Sequence, residues 1–158
     1  MRKLFLLAFI IAVGVSCNPP KVVQDSYKVM KGYWVLDEVS YEAAGNYNIT
    51  LFNDASAACF EGSNWRFIPN NNTGNYVIDN SDCASGQRNF VFTVQEIDKE
   101  SGLYHFMLKP TNEKGKSDTK TGYRLRLAQL GEYSMTWQQT VQVDGAPFVI
   151  NMRFSKID

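Results

Sequence analysis

The stretch YSMTWQQTVQVDGAPFVINMRFSKI, residues 133–157, alternates side chains of different polarity on both sides of Asp144-Gly145. Asp-Gly is a dipeptide that favours a tight turn between paired strands. Before it, one face of the alternation carries Tyr133, Met135, Trp137, Gln139 and Val141. After it, one face is fully apolar, with Phe148, Ile150, Met152 and Phe154. Because successive side chains of a strand point to opposite faces, the stretch predicts a β-hairpin with one apolar face.

Similar short segments, rich in aromatic and β-branched residues, fill the chain from residue 32 onward and are separated by turn residues. The nine predicted strands are Tyr33–Tyr41, Tyr47–Phe52, Trp65–Ile68, Gly74–Asp79, Asn89–Ile97, Tyr104–Lys109, Tyr123–Leu130, Tyr133–Val143 and Phe148–Ile157. Residues 54–61 predict one short helix, for which Asp54 is the candidate N-cap. So many strands exceed what an open sheet carries without curling, and closure removes exposed edges. The pattern predicts an all-β, eight- to nine-stranded antiparallel up-and-down barrel, with a β-sandwich as the alternative.

The N-terminus carries the features of an export signal. Arg2 and Lys3 precede a twelve-residue apolar run from Leu4 to Val15, which is shorter than the roughly 20 residues needed to span a bilayer. Gly14-Val15-Ser16 are small residues that a peptidase accepts, and Cys17 follows directly. This arrangement resembles the lipobox of bacterial lipoproteins, although Gly14 stands where that family usually has Leu. The alternative is an ordinary secretory peptide with a fortuitous cysteine.

The lipobox resemblance implies that residues 1–16 are removed and that Cys17 becomes the lipidated N-terminus. Two or more acyl chains give stable anchorage, so the protein would be tethered to a membrane of the cell envelope, expected to be the outer membrane. No acidic cluster follows Cys17, whereas in Bacteroidetes-like lipoproteins such a cluster accompanies surface export; the domain is therefore expected to face the periplasm. Residues 17–31 contain two prolines and no sustained periodicity, which predicts a flexible linker before a domain at 32–158.

The charge balance limits the classes of partner, and the cysteine content predicts a disulfide. The chain has 16 basic and 16 acidic residues, so no strong basic field favours nucleic acid, and membrane contact is expected through the N-terminal lipid only. If Cys17 carries lipid, Cys59 and Cys83 remain as an even pair in an oxidising compartment. They predict a disulfide between the short helix and the turn after the fourth strand. Two buried free thiols are the alternative.

Gly32-Tyr33-Trp34 at the start of the first strand resembles the lipocalin signature. Together with the lipobox, NWRFIPNNNTGNYVI at 64–78 and the two later cysteines, it is similar to lipocalin-like lipoproteins of Gram-negative, Bacteroidetes-like bacteria. The resemblance implies that Trp34 plugs the closed end of a barrel and that a basic side chain of the last strand packs over it. Arg153 or Lys156 fits this part, and Arg153 is preferred. A T-D-Y motif and a long C-terminal helix, typical of the family, are absent from the sequence.

The sequence contains little that indicates catalysis. His105 is the only histidine and lies within a predicted strand, without a nucleophile or carboxylate at a spacing that suggests a triad or a metal site. No phosphate-binding glycine loop is present. We therefore expect no enzyme activity, no metal and no cofactor.

The aromatic content, with ten Phe, eight Tyr and three Trp, suggests two different functions. In the first, the barrel is hollow and holds a small hydrophobic or amphipathic ligand. The residues expected to line such a cup are Tyr104, Phe106, Tyr123 and Trp137, with Arg126 or Arg124 near its mouth. In the second, aromatic residues fill a solid barrel whose outer face docks another envelope component, a protein partner that the sequence does not identify.

Overall fold

The computed structural model describes residues 21–98, 103–117 and 119–157 of the chain. The elements are α1 (Lys21–Met30), β1 (Gly32–Tyr41), β2 (Thr50–Leu51), β3 (Ala55–Ser56), α2 (Ala57–Phe60), β4 (Asn64–Ile68), a 3₁₀ turn (Pro69–Asn71), β5 (Thr73–Ile78), β6 (Gly86–Asp98), β7 (Leu103–Thr111), β8 (Tyr123–Leu130), β9 (Ser134–Val143) and β10 (Ala146–Ile157). The expected signal peptide at 1–16 and the lipidation site Cys17 lie outside the described residues.

Eight strands close into one antiparallel barrel in the order β1-β10-β9-β8-β7-β6-β5-β4. Apart from β2 and β3, which form a separate small hairpin, neighbours along the chain are neighbours in the barrel. The barrel is closed by pairing of β1 with both β10 and β4. The predicted up-and-down barrel is confirmed, and the sandwich alternative is excluded because a single sheet returns to its own first strand.

Alternation along the strands decides which side chains enter the barrel. In β5 every second residue is buried, and β9 and β10 bury Met135, Trp137, Ile150, Met152 and Phe154. Register shifts between Leu36 and Glu38, between Glu96 and Asp98, and between Leu127 and Gln129 interrupt the ladders. Such bulges bend and twist a strand locally, which helps an eight-stranded sheet to close.

The prediction of a strand at Tyr47–Phe52 is wrong. Only Thr50–Leu51 is extended there, and it pairs with Ala55–Ser56 outside the barrel. Phe52 and Asn53 both have φ near +50°, a left-handed conformation that turns the chain back at once. The resulting hairpin buries Leu51 and Phe52 over one open end of the barrel, so apolar residues that suggested a strand serve as a plug.

The prediction of a flexible linker at 17–31 is wrong for residues 21–30, which form α1. Val23, Tyr27 and Met30 lie on one face of this helix, at spacings of four and three residues, and Val23 and Met30 are buried. Tyr27 Oη accepts a hydrogen bond of 3.1 Å from Val94 N, and its ring packs on Phe92. The apolar periodicity spans only three positions, and burial against the barrel stabilises a helix that would be marginal alone. No helix in the described part of the chain is both long and apolar enough to cross a bilayer.

At the opposite end, α2 and the β2–β3 hairpin are fixed by covalent and ionic links. Cys59 of α2 forms a disulfide with Cys83, in the turn between β5 and β6, which confirms the predicted pairing. The expected N-cap, Asp54, lies outside α2, whose N-cap is Ser56. Asp54 instead accepts hydrogen bonds from Tyr76 Oη and Arg88 Nε, each 2.9 Å long. These contacts bind the hairpin to two barrel strands.

The α1 end is organised around Trp34, whose indole Nε1 donates a 2.9 Å hydrogen bond to Met30 O. Gly32 has φ +122°, a conformation that L side chains rarely adopt, and this allows the sharp passage from α1 into β1. Lys156 lies opposite Trp34 in the β1–β10 register, with its Nζ 5.3 Å from the indole centroid and 2.9 Å from Val29 O. The basic residue over the tryptophan is therefore Lys156.

The preference for Arg153 in this role is wrong. Arg153 is on the opposite face of β10 from Phe154 and Lys156, so its side chain points outside, where it is 62% exposed and bonds Glu38 at 2.9 Å. In β10, even-numbered side chains point into the barrel and odd-numbered side chains point out of it. Residue 156 belongs to the inward set that begins at Phe148, whereas residue 153 belongs to the outward set.

Reduction of the disulfide is expected to destabilise the protein by about 3.5 kcal/mol, the chain-entropy value for a loop of this length. The 24-residue separation between Cys59 and Cys83 determines that value. Denaturant unfolding of the wild type and of the Cys59→Ala, Cys83→Ala double variant, followed by far-UV circular dichroism, measures the difference. Equal free energies of unfolding would contradict the expectation.

Lys156→Met is expected to lower the free energy of unfolding by about 1–2 kcal/mol, because it removes both the hydrogen bond to α1 and the cation–π contact. The matched control is Arg153→Met on the same strand, which breaks only an exposed ion pair and is expected to cost less than about 0.5 kcal/mol. Chemical denaturation of both variants checks this order. A larger loss for Arg153→Met would return the barrel-end role to that residue.

Candidate functional site

The barrel interior is the first place to look for a site, and it is filled by aromatic side chains. Trp65 and Trp137 lie at its centre with ring centroids 5.5 Å apart, and neither is more than 1% exposed. Phe106 and Phe154 pack on Trp137 at 4.7 and 4.6 Å. Further large side chains that are almost fully buried in the core are Trp34, Leu36, Phe60, Phe67, Phe90, Phe92 and Met135. An eight-stranded barrel is just wide enough for side chains to fill it, and here they do.

Both ends of the barrel are also covered. Leu51, Phe52 and Phe60 are buried beneath the β2–β3 hairpin and α2, whereas Met30 is completely buried at the α1 end. The residues predicted to line one cup are therefore divided. Phe106 and Trp137 are in contact at the centre, while Tyr104 is half-buried beside α1 and Tyr123 contacts Phe52 at the opposite end. The predicted cup is not formed in this structure.

Arg126 does not point into the barrel. It alternates with the buried Leu125 and Leu127, so its side chain is exposed on the outer face, where it lies opposite His105 in the β7–β8 register. The prediction that Arg126 lies at the mouth of an internal cup is therefore wrong. The register of β8 places both Arg124 and Arg126 outside.

Two buried polar atoms lie on the inward face of β9. Trp137 Nε1, a donor, and Gln139 Oε1, an acceptor, have no hydrogen-bond partner among the described residues. The neighbours of Trp137 are the aromatic rings of Trp65, Phe67, Phe106 and Phe154.

The α2 end contains a cluster of ionisable side chains around Asp54. Burial, followed by the nearby Asp54 carboxylate, raises the pKa of Tyr76 far above its ordinary value. The same two causes raise the pKa of Tyr123. Both phenols remain protonated at neutral pH, and Tyr76 donates to Asp54, which Arg88 also binds. This cluster closes the barrel end.

An apolar groove of about 450 Å³ lies on the outside of the barrel, over β6 and β7. Outward-pointing side chains of both strands form its floor, and two turns form its walls: the turn at 69–72 and the segment before β8. Its lining residues are Asn71, Asn72, Val91, Phe92, Thr93, Met107, Leu108, Lys109, Lys120 and Gly122. It is larger than the pocket beside α1, of about 290 Å³, and the pocket beside Tyr41 and Tyr47, of about 210 Å³.

The groove combines apolar and cationic groups. Val91 and Met107 are half-buried at outward positions, where solvent-facing strands normally carry polar residues. Lys109 and Lys120 border them, and none of the described lining residues is acidic. No ion pair involves either lysine within the described part of the chain. This site was not among the residues predicted from the sequence, although the apolar Val91 and Met107 interrupt the polar alternation of their strands and are a signal of it.

His105 lies on the outer face of the barrel beside the groove, close to two arginines. It lies two residues from Met107 on β7, and its pKa is lowered first by burial and then by the positive charges of Arg124 and Arg126. The imidazole is therefore neutral at neutral pH, and the surface beside the groove has a positive potential. His105 Nδ1 has no hydrogen-bond partner among the described residues.

Metal and covalent chemistry find no candidate in the described part of the chain. No three His, Cys, Asp or Glu side chains gather there in an arrangement that could hold a metal ion. Cys59 and Cys83 are joined in the disulfide.

Comparison with known proteins agrees with the architecture. A lipocalin-like protein from Bacteroides uniformis ATCC 8492 superposes with a TM-score of 0.50 at 9% sequence identity, and the match covers 82% of this chain and 99% of that one. No protein-family model matches the sequence, and a search of curated proteins gives no match. At this identity the likeness concerns the fold alone. The chain is a closed, eight-stranded antiparallel barrel with a lipocalin-like fold.

Proposed function

We propose that this chain is an envelope lipoprotein whose barrel binds a small amphipathic molecule in the groove over β6 and β7. Cys17 is the lipid anchor in this proposal, the outer membrane carries it, and the domain faces the periplasm. The observation that carries the binding role is an apolar groove of about 450 Å³ with two lysines at its edge. Its volume falls within the roughly 300–1,000 Å³ of small-molecule sites.

The groove favours a ligand with an apolar chain and an anionic head. Val91 and Met107 offer apolar area, and the methylene stems of Lys109 and Lys120 extend it. The two ammonium groups attract an anion, and Arg124, opposite Met107 in the β7–β8 register, adds to the positive field. A fatty acid has this combination of groups, and so does an anionic lipid, with its acyl chain and its charged headgroup.

Met107→Asp is expected to weaken binding of a medium-chain fatty acid about tenfold, because it removes apolar contact area and adds a repelling charge. Isothermal titration or displacement of a fluorescent fatty acid measures the affinity. The matched control is Val149→Asp on β10, a half-buried outward position on the side of the barrel opposite β6. Equal affinities in both variants and the wild type would exclude the groove.

A second comparison tests the charge separately from the apolar contact. Lys109→Met keeps the aliphatic stem but removes the ammonium group, so it is expected to weaken the fatty acid about threefold, as for a partly exposed ion pair. The alcohol of equal chain length should bind both proteins alike. An equal loss for acid and alcohol would show that charge does not contribute.

A second function, docking of another envelope component, is favoured by a different observation. The interior is filled and both ends are covered, so the barrel offers its partners only outer surfaces. A folded wild-type protein that binds neither the fatty acid nor its alcohol would favour docking over ligand binding.

Trp137→Ala separates an interior site from an outer one. In a solid core this change is expected to lower the free energy of unfolding by about 3–5 kcal/mol through cavity formation. Affinity for the fatty acid, measured where the variant is still folded, should stay unchanged. Trp137→Phe provides a milder variant if the first does not fold. Loss of binding in a folded Trp137 variant would place the ligand inside the barrel and contradict the groove proposal.

A further inference from the structure

The α1 end of the barrel and the N-terminal tether lie close together. Only residues 18–20 separate Cys17 from Lys21, the first residue of α1. Even a fully extended chain spans at most about 14 Å over this distance. Because α1 packs against the barrel at 23, 27 and 30, the helix cannot serve as extra linker.

Exposed apolar side chains are concentrated at this same end. Among the described residues, six large apolar side chains are exposed: Val22, Tyr33, Tyr47, Tyr133, Val143 and Ile157. Four of these are at the α1 end, where Tyr33 and Ile157 are paired in the β1–β10 register and Tyr133 O accepts a hydrogen bond from Lys156 N. Val22 is on α1 itself. Tyr47 and Val143 are at the other end.

These four residues, which we call the apolar rim, have the composition of a membrane-interface contact. Tyr33 is 50% exposed and Tyr133 is 64% exposed. Tyrosine is enriched where one side of a ring meets hydrocarbon and its hydroxyl meets water. Val22 and Ile157 add aliphatic area to the same rim.

The described charges around the rim do not oppose a bilayer. Lys28 and Asp25 on α1 pair with each other at 3.0 Å. Lys21, Lys31, Arg66 and Lys156 are further basic residues at this end, together with the acidic Glu132 and Asp98, at which β6 ends. Arg66 lies over the Tyr33 ring at 5.3 Å. Contact by the apolar rim therefore requires no special headgroup.

We infer that the α1 end of the barrel rests on the surface of the bilayer, with the apolar rim at the lipid–water interface. This inference rests on the lipid anchor of the proposed function, because the short tether brings the rim to the membrane. The barrel then stands with α1 toward the lipid and with α2 and the disulfide away from it. The groove over β6 and β7 lies on its side, with the turn at 69–72 toward the membrane end.

Two labelling sites on one strand measure this orientation. Glu132 precedes β9 and Gln142 is near its end; both are exposed and neither belongs to the rim. Glu132→Cys and Gln142→Cys are each labelled with a donor fluorophore in the full, lipidated protein, which is reconstituted into phosphatidylcholine vesicles with an acceptor on the headgroups. Ten strand residues separate the sites by about 33 Å along the strand.

With a Förster distance near half of that length, energy transfer from position 132 is expected to exceed transfer from position 142 several-fold. Tyr133→Asp should reduce the difference, whereas Val143→Asp at the far end should leave it unchanged. Equal transfer from both positions in protein that floats with the vesicles would overturn the orientation and leave the anchor standing. Association of a second copy at the rim, seen by light scattering in place of lipid contact, would also overturn it. Protein that fails to float at all would contradict the anchor, and the orientation with it.

Discussion

The volume enclosed by eight closed strands is the constraint on which the rest of this structure depends. Strands that pair all the way round leave an interior about as wide as two facing side chains, and a cavity in it would cost stability. The chain meets this constraint with Trp65, Trp137 and a set of phenylalanines whose rings contact one another at about 4.5–6.5 Å, the range typical of aromatic pairs. The ring planes of Trp137 and Trp65 meet at 83° near the centre, so the edge of one ring is set against the face of the other.

Because the interior is filled in this way, the proposed binding role falls to the outer surface of the barrel. The interior of the barrel is occupied by buried aromatic and aliphatic side chains. Apolar residues outside the core are therefore the ones to consider for binding. Val91 and Met107 are outward on strands whose inward positions are already filled, and they are accompanied by lysines, which makes their groove distinct from an ordinary solvated sheet face.

The two barrel ends are closed by different means, and the difference fits the proposed anchoring. At the α2 end a disulfide and the Asp54 cluster fix the β2–β3 hairpin with covalent and ionic links. At the α1 end the closure is a helix held by Met30, Tyr27 and the amine of Lys156. If Cys17 carries lipid, the tether joins the barrel through that helix, so the same element both seals the core and sets how the domain stands on the membrane.

The sequence by itself determined the fold class, eight of the nine strands and the disulfide, because each follows from local periodicity or from counting. Period-two alternation does not depend on the rest of the fold, and once Cys17 is assigned to the expected lipid anchor, the two remaining cysteines have one way to pair. The predicted strand at 47–52 is wrong because its apolar residues cover an open end of the barrel. That end exists only once the barrel has closed. The helix α1 was not predicted for the same reason, because three apolar positions are stabilised as a helix only when Phe92 and Val94 are there to pack against.

The tertiary structure alone decided whether the barrel is solid, because that depends on how side chains from opposite strands share one volume. It also decided that Arg126 and Arg153 are outside and that Lys156 is over Trp34, since the register between strands, and not the composition of any one of them, sets what faces what.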